Sequence, residues 1–572
     1  MSAGQAFLPE ALANGARAWG FSLNLYSLRS ERNWGIGDLS DLRSFVRNAA
    51  SLGASYVGIN PLHALWLLEP RAASPYAPAS RFFLNPLYID IEAVPEFARA
   101  AGRRSSRERT ERRDVLAALR LAPLIDYPSV SAQKQSALRE LYRAFRKCDG
   151  ERRASFDAFV VREGTRLERF AEFEALDEFL TGTSSTHGWF AWPQGYRDPQ
   201  SPAVARFKRD EGERIDFYRY VQFVADEQLA AAASEGAKLG VRLYCDLAVG
   251  VDAGGADVWS DPAAYVLDET IGAPPDALGP DGQNWGLPPP DPRAFAENDA
   301  ERFAELLRAN MRYAGALRLD HVMSLRRLFR IEAGHSASEG RYVEYPQETL
   351  LAAVERESER ARCLVVGEDL GNVPDGFRER MEAAQVLSYR LLPFERDFDG
   401  RFKPPASYPR LAVATAGTHD LPTLAGWSLG RDIEARRAAD LLPEATALAA
   451  QAGRRRDVEV LLEALTTHGA ISLDEARGIF VAVERGEPHP QAFAPLTIAT
   501  YRYLARTPAC LVFVQLDDAV VSFDQVNLPG TVLEYPNWRR KMAIEVDALA
   551  AHPTVRAIAA ELRAERTQAH TN

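Results

Sequence analysis

Three short apolar runs each end in a carboxylic acid: Ala316-Leu317-Arg318-Leu319-Asp320-His321, Cys363-Leu364-Val365-Val366-Gly367-Glu368-Asp369, and Ala412-Val413-Ala414-Thr415-Ala416-Gly417-Thr418-His419-Asp420. Buried parallel strands read as continuous apolar segments, and in a barrel their C-terminal ends form the active face. The three acids recur about fifty residues apart, as strand-helix units would space them. Two carboxyl groups about 5 to 5.5 Å apart on one face can cleave a glycosidic bond with retention: one attacks the anomeric carbon and the other protonates the departing oxygen.

Local context divides the labour. Arg318 stands two residues before Asp320, hence on the same side of a strand, where a cation keeps the aspartate ionised and makes Asp320 the candidate nucleophile. An ordinary structural ion pair would look the same locally. Glu368 ends a run of apolar neighbours whose desolvation would raise its pKa into the range of a general acid, so it is the candidate proton donor and later base. Asp369 is its rival, because adjacent strand residues face opposite ways, and either acid could instead cap the following turn. Asp420 is a third carboxylate that could strengthen its contacts as a sugar ring flattens toward an oxocarbenium ion. The pair His419-Asp420, with His321, leaves metal ligation open on spacing alone.

Eight segments have the character of buried strands: 21–28, 56–61, 241–249, 316–321, 363–369, 386–394, 411–419 and 511–517. Helical patterns lie between them, for example 38–52 with Asp38 or Ser40 as cap, and 292–313. The expected fold is α/β, a (β/α)8 TIM barrel with inserted helical subdomains. The predicted organisation is strands one and two with an active-face loop in 1–94, an inserted mainly helical subdomain in 95–213, and strands three to seven with a lid loop 270–290 in 214–430. A helical insertion follows in 431–495, with strand eight and C-terminal helices in 496–572.

Two loops carry aromatics to the expected active face. Ser74-Pro75-Tyr76-Ala77-Pro78 is stiffened by prolines, so Tyr76 can be presented to a sugar ring at little ordering cost; a rigid connector packing its aromatics inward is the alternative. The stretch from Ala273 to Pro290, containing Gly282-Gln283-Asn284-Trp285-Gly286, reads as an irregular surface loop with Trp285 as platform or as anchor.

Composition excludes other classes. The chain has 572 residues, 46% hydrophobic and 26% charged, and no run approaching the roughly 20 apolar residues that span a bilayer. A formal net charge of -11 argues against nucleic acid as partner. Cys148, Cys245, Cys363 and Cys510 are too scattered for a metal knot or a disulfide scaffold. With no secretory pattern at the amino terminus, a cytoplasmic protein without membrane partners is expected.

These motifs resemble the amylomaltases, the 4-alpha-glucanotransferases or disproportionating enzymes of glycoside hydrolase family 77. The resemblance runs from Phe21 to Lys541 and includes Asn85-Pro86-Leu87-Tyr88-Ile89-Asp90, Gly367-Glu368-Asp369-Leu370-Gly371, Asn527-Leu528-Pro529-Gly530-Thr531 and Tyr535-Pro536-Asn537-Trp538-Arg539. It implies that Asp320 is the nucleophile, Glu368 the acid/base and Asp420 the transition-state stabiliser. It further implies Asp246, Arg318, His419 and Asn527 as sugar contacts and Tyr76 and Trp285 as platforms, with no metal and no cofactor. Cys245-Asp246-Leu247-Ala248 looks like the bacterial maltodextrin-pathway branch, some of whose members carry a further domain ahead of the barrel. With about twenty residues before the first strand, that domain is expected to be absent here. The implied activity is transfer of α-1,4-glucan segments between maltodextrins, glycogen or starch fragments. An α-glucan hydrolase and a catalytically silent glucan-binding barrel are the alternatives.

Overall fold

A short apolar segment buried on both faces satisfies its backbone only by pairing with neighbours of the same kind. The computed structural model describes residues 4–66, 73–102, 105–181, 188–275, 281–296 and 300–566. In it, eight such segments ring one axis: β1 (Ala18–Leu23), β2 (Tyr56–Ile59), β3 (Arg242–Leu247), β4 (Ala316–Leu319), β5 (Leu364–Gly367), β6 (Ser388–Leu391), β7 (Ala412–Thr415) and β8 (Leu511–Gln515). All pair in parallel, in the order β5-β4-β3-β2-β1-β8-β7-β6. β5 and β6 meet more sparsely and bring the ring round: Gly367 N–H donates to Leu387 O at 2.8 Å and Leu387 N–H to Val365 O at 3.0 Å. The architecture is the expected (β/α)8 barrel.

Each of the eight predicted segments holds a strand, and the first is displaced. β1 starts at Ala18, and Leu25–Ser27 is a 3-10 turn instead of strand. The Ser27 hydroxyl and N–H both donate to the Asn24 carbonyl, at 2.8 and 3.0 Å, which bends the chain away from the ladder. The barrel interior is filled by aromatic rings, Tyr244 against Phe513 at 4.6 Å and Tyr56 against Phe513 at 6.4 Å. Gly20 makes room for them, since a Cβ there would lie 2.4 Å from the Tyr56 carbonyl oxygen.

Helix α1 (Leu39–Leu52) follows β1, and the predicted cap is Asp38. Its carboxylate accepts from Ser40 and Asp41 N–H, while the Asp41 side chain accepts from Asp38 N–H. Between β2 and β3 run the helices Ser106–Leu121, Tyr127–Phe145, Glu151–Thr181 and Gly212–Lys238, the last packed on α1. Between β7 and β8 lie Arg431–Ala438, Glu444–Thr467, Leu473–Arg485 and Pro490–Ala505. The predicted helix over 292–313 is two pieces, Pro292–Ala296 and Glu301–Met311, with 297–299 outside the described residues.

The stretch expected to be irregular is partly ordered as sheet. Glu269–Ala273 pairs antiparallel with Arg327–Glu332 on one side and Gln283–Asn284 on the other, and Arg341–Glu344 completes a four-stranded sheet. Residues 276–280 of the predicted lid lie outside the described residues. The partner strand comes from beyond β4, a pairing that local glycine and proline content cannot announce.

Candidate active site

Arg318 is the hub of the cleft. It stands in register with Asp246 on β3 and Val366 on β5, so its side chain enters the barrel mouth between strands that also deliver acids. Nη1 lies 2.8 Å from Asp246 Oδ1 and 2.9 Å from its Oδ2; Nη2 lies 2.9 Å from Asp320 Oδ1 and 4.0 Å from Glu368 Oε2. Burial works against the guanidinium charge, but Asp246 and Asp320 outweigh it and hold the arginine pKa well above its usual value. One cation therefore orients three carboxylates and balances part of their charge.

Glu368 is held by two backbone donors. His321 N–H donates to Oε2 and Leu370 N–H to Oε1, each at 2.8 Å. His321 can aim its N–H there because it is left-handed, with φ 47°, immediately after Asp320. Burial raises the Glu368 carboxyl, Arg318 draws it down and Asp320 pushes it up, leaving it at about 7. The neighbouring Asp369 faces the other way. Its Oδ1 accepts from Tyr389 N–H at 2.8 Å and its Oδ2 from Arg378 at 2.6 Å, so it stitches β5 to β6 below the cleft. Between the two rival acids, Glu368 is the one that faces Asp320 and Arg318.

A chain of contacts leads on to the third acid. The Tyr76 hydroxyl donates to Asp246 Oδ2 at 2.6 Å and lies 3.2 Å from His419 Nδ1, with the two rings stacked at 4.4 Å. His419 Nε2 lies 3.2 Å from Asp420 Oδ2, and Asn527 Nδ2 donates to Asp420 Oδ1 at 2.7 Å. Desolvation would raise the Asp420 carboxyl, but His419 and Asn527 overcome it and hold it at about 2. Trp285 joins at the opposite end, its ring nearly perpendicular to that of His321 with centroids 5.2 Å apart. Its N–H groups bond to Gln283 and Ile271, at 3.0 and 2.9 Å, which ties this part of the loop down.

The nine residues singled out from the sequence are thus linked in one network of contacts, Trp285 through His321. Sequence reasoning gave no role to Trp538, whose ring packs 5.7 Å from Tyr76 and 5.2 Å from His419, nor to Tyr389, 5.7 Å from the Arg318 guanidinium. The signal for Trp538 was present in the Tyr535-Pro536-Asn537-Trp538-Arg539 motif; Tyr389 sits inside a strand pattern that carries none. A polar cavity lined by Ser22, Asn24, Asn60 and Gln515 adjoins Arg318 and His419. Among the described residues, no three His, Cys, Asp or Glu side chains are grouped to hold a metal ion, and no helix is long and apolar enough to cross a membrane.

Comparison with known proteins agrees with this geometry. The family model described as 4-alpha-glucanotransferase matches residues 23–546. A 4-alpha-glucanotransferase of Haemophilus influenzae is 38% identical over 558 residues, covering 94% of this chain and 77% of the relative. One from Mycobacterium tuberculosis is 38% identical over 547 residues, covering 93% and 72%. The crystal structure of amylomaltase from Corynebacterium glutamicum aligns with a TM-score of 0.85 at 30% identity, covering 98% of this chain and 77% of that one. The chain belongs to the 4-alpha-glucanotransferase family.

Proposed function

We propose that the chain transfers α-1,4-glucan segments between maltodextrins, or glycogen and starch fragments, by a retaining double displacement. Asp320 attacks the anomeric carbon while Glu368 protonates the departing chain, giving a β-linked glycosyl-enzyme; Glu368 then takes the proton from the 4-hydroxyl of an acceptor, which displaces Asp320. Asp420 stabilises the oxocarbenium-like transition state, and Asp246, Arg318, His419 and Asn527 contact the sugar, with Tyr76 and Trp285 flanking it.

The observation that carries this reading is the shared guanidinium, 2.9 Å from Asp320 and 4.0 Å from Glu368, together with the spread in acidity between Glu368 at about 7 and Asp420 at about 2. Two carboxyls facing one guanidinium nitrogen stand on the same side of the barrel mouth, as a retaining pair must, and the environment that raises Glu368 to about 7 suits it to donate the proton. The same electrostatics serves the second half-reaction. Asp320 raises the Glu368 pKa while it is charged; once esterified it no longer does, so a larger share of Glu368 is ionised, and free to accept a proton, just when a base is needed. A cytoplasmic site of action belongs to this reading and is supported by four cysteines that are all free.

Incubation with maltotriose followed by chromatography tests the proposal. Glucose together with longer maltodextrins is the expected product set, whereas rising reducing ends without longer chains would make the enzyme a hydrolase. Asp320→Asn is expected to abolish both.

A further inference from the structure

Asp320 is held from two sides. Arg318 grips Oδ1 at 2.9 Å, and the backbone N–H of Val249, just past β3, donates to Oδ2 at 3.4 Å. An N–H keeps its aim only if its peptide plane is prevented from rotating. The carbonyl at the other end of that plane, Ala248 O, accepts from Arg81 Nη1 at 3.1 Å. The next carbonyl, Val249 O, accepts from the same nitrogen at 2.9 Å. The preceding amide, Ala248 N–H, donates to His63 Nε2 at 3.3 Å. Three successive peptide planes are therefore held by two side chains; the first also offers Leu247 O to the Asp320 N–H at 3.1 Å, and the second presents the Val249 N–H to the Asp320 carboxylate.

Both side chains are themselves fixed. His63 is 3% exposed and lies on the short strand His63–Ala64, which pairs with Ser80–Leu84. Desolvation and the nearby Arg81 hold its imidazole down at about 3, so Nε2 offers a lone pair throughout the neutral range. Arg81 is anchored through its own backbone, its N–H donating to Asp257 at 2.8 Å and its carbonyl accepting from Asn310 at 3.1 Å.

We infer that His63 and Arg81 are positioning residues for the Asp320 carboxylate, acting through the Ala248 and Val249 peptides. The inference rests on Asp320 being the nucleophile, and loss of transfer in Asp320→Asn tests that separately. His63→Ala frees the Ala248 amide, and a small misplacement of a reacting group costs up to about a hundredfold, so kcat on maltotriose should fall by about tenfold to a hundredfold with KM little changed. His63→Gln, whose amide oxygen can accept the same N–H, should recover most of that loss.

An α-maltosyl fluoride donor separates this from damage at the proton donor, because fluoride departs with little help from an acid. The His63→Ala defect should persist with that donor, whereas the Glu368→Gln defect should shrink. Should His63→Ala fail to fold, Arg81→Lys, which keeps the charge but loses the fork of donors, should show the same persistent loss of kcat. Unchanged kcat in His63→Ala or Arg81→Lys, a His63→Gln no better than His63→Ala, or recovery on the fluoride donor would each overturn the inference.

Discussion

Glu368 carries a proton near neutrality because it is buried and faces Asp320, against the pull of Arg318. The acid role proposed for it requires the protonated form, so kcat/KM on maltotriose should be level just below about pH 7 and fall about tenfold per pH unit above it. A profile still level at pH 9 would remove Glu368 from the acid role. Asp420 titrates at about 2, far below any working pH, so it stays charged and contributes no acid limb. In the stabilising role proposed for Asp420, Asp420→Asn removes a negative charge from the site and should lower kcat by about a hundredfold to a thousandfold with folding intact, measured by initial rates beside a melting curve. At this scale the sequence was legible where a residue type is committed to one chemistry: the three acids, the arginine, the His-Asp pair. It was silent on orientation. Glu368 and Asp369 differ only in which side of β5 they leave from, and the Tyr389 N–H and Arg378 that claim Asp369 are distant in sequence.

At the level of elements, Asp369 does for β5 and β6 what a backbone carbonyl would do in a longer ladder. The strands exchange few main-chain bonds there, and the carboxylate supplies the acceptor for Tyr389 N–H. Asp369→Ala leaves that buried donor unpaired and should cost about 1–3 kcal/mol in urea unfolding. It should also move the basic limb of the pH profile, because Glu368 is the adjacent residue. Asp369→Asn keeps an acceptor and should cost less; equal losses in the two variants would contradict the ladder role. Strand positions were readable because a segment buried on both faces has one pattern, continuous and apolar. β1 was misplaced by the Ser27 bonds to Asn24, and the sheet beside Trp285 was missed because its pairing with Arg327–Glu332 is non-local.

The whole molecule ties the cleft to distant segments. Trp538, close under Tyr76 and His419, offers its carbonyl to the Tyr127 hydroxyl at 2.7 Å, linking the site to a helix between β2 and β3. Behind β8, buried Asp518 accepts from Leu424 N–H at 2.7 Å and from the Tyr501 hydroxyl at 2.8 Å, joining three elements. Burial lifts its carboxyl to about 7, above the ordinary aspartate value of about 3.9. The folded state therefore holds this proton more tightly than the unfolded chain, and the stability it contributes at low pH is lost as pH rises from about 4 to about 7. Asp518→Asn removes that dependence, so the drop in urea stability between pH 4.5 and pH 7.5 should be smaller than in the parent; an unchanged drop would refute it.

The sequence by itself determined the eight strands and which residue types reach their C-terminal ends, since burial on both faces and a side-chain period of two are local properties. Only the tertiary structure decided that Glu368 and not Asp369 faces Asp320, that Trp285 is tied down at Gln283 and Ile271, and that Arg318 serves three acids at once. The physical reason is barrel closure: which side of a strand becomes the inside, and which charges meet there, depends on partners far away in the chain.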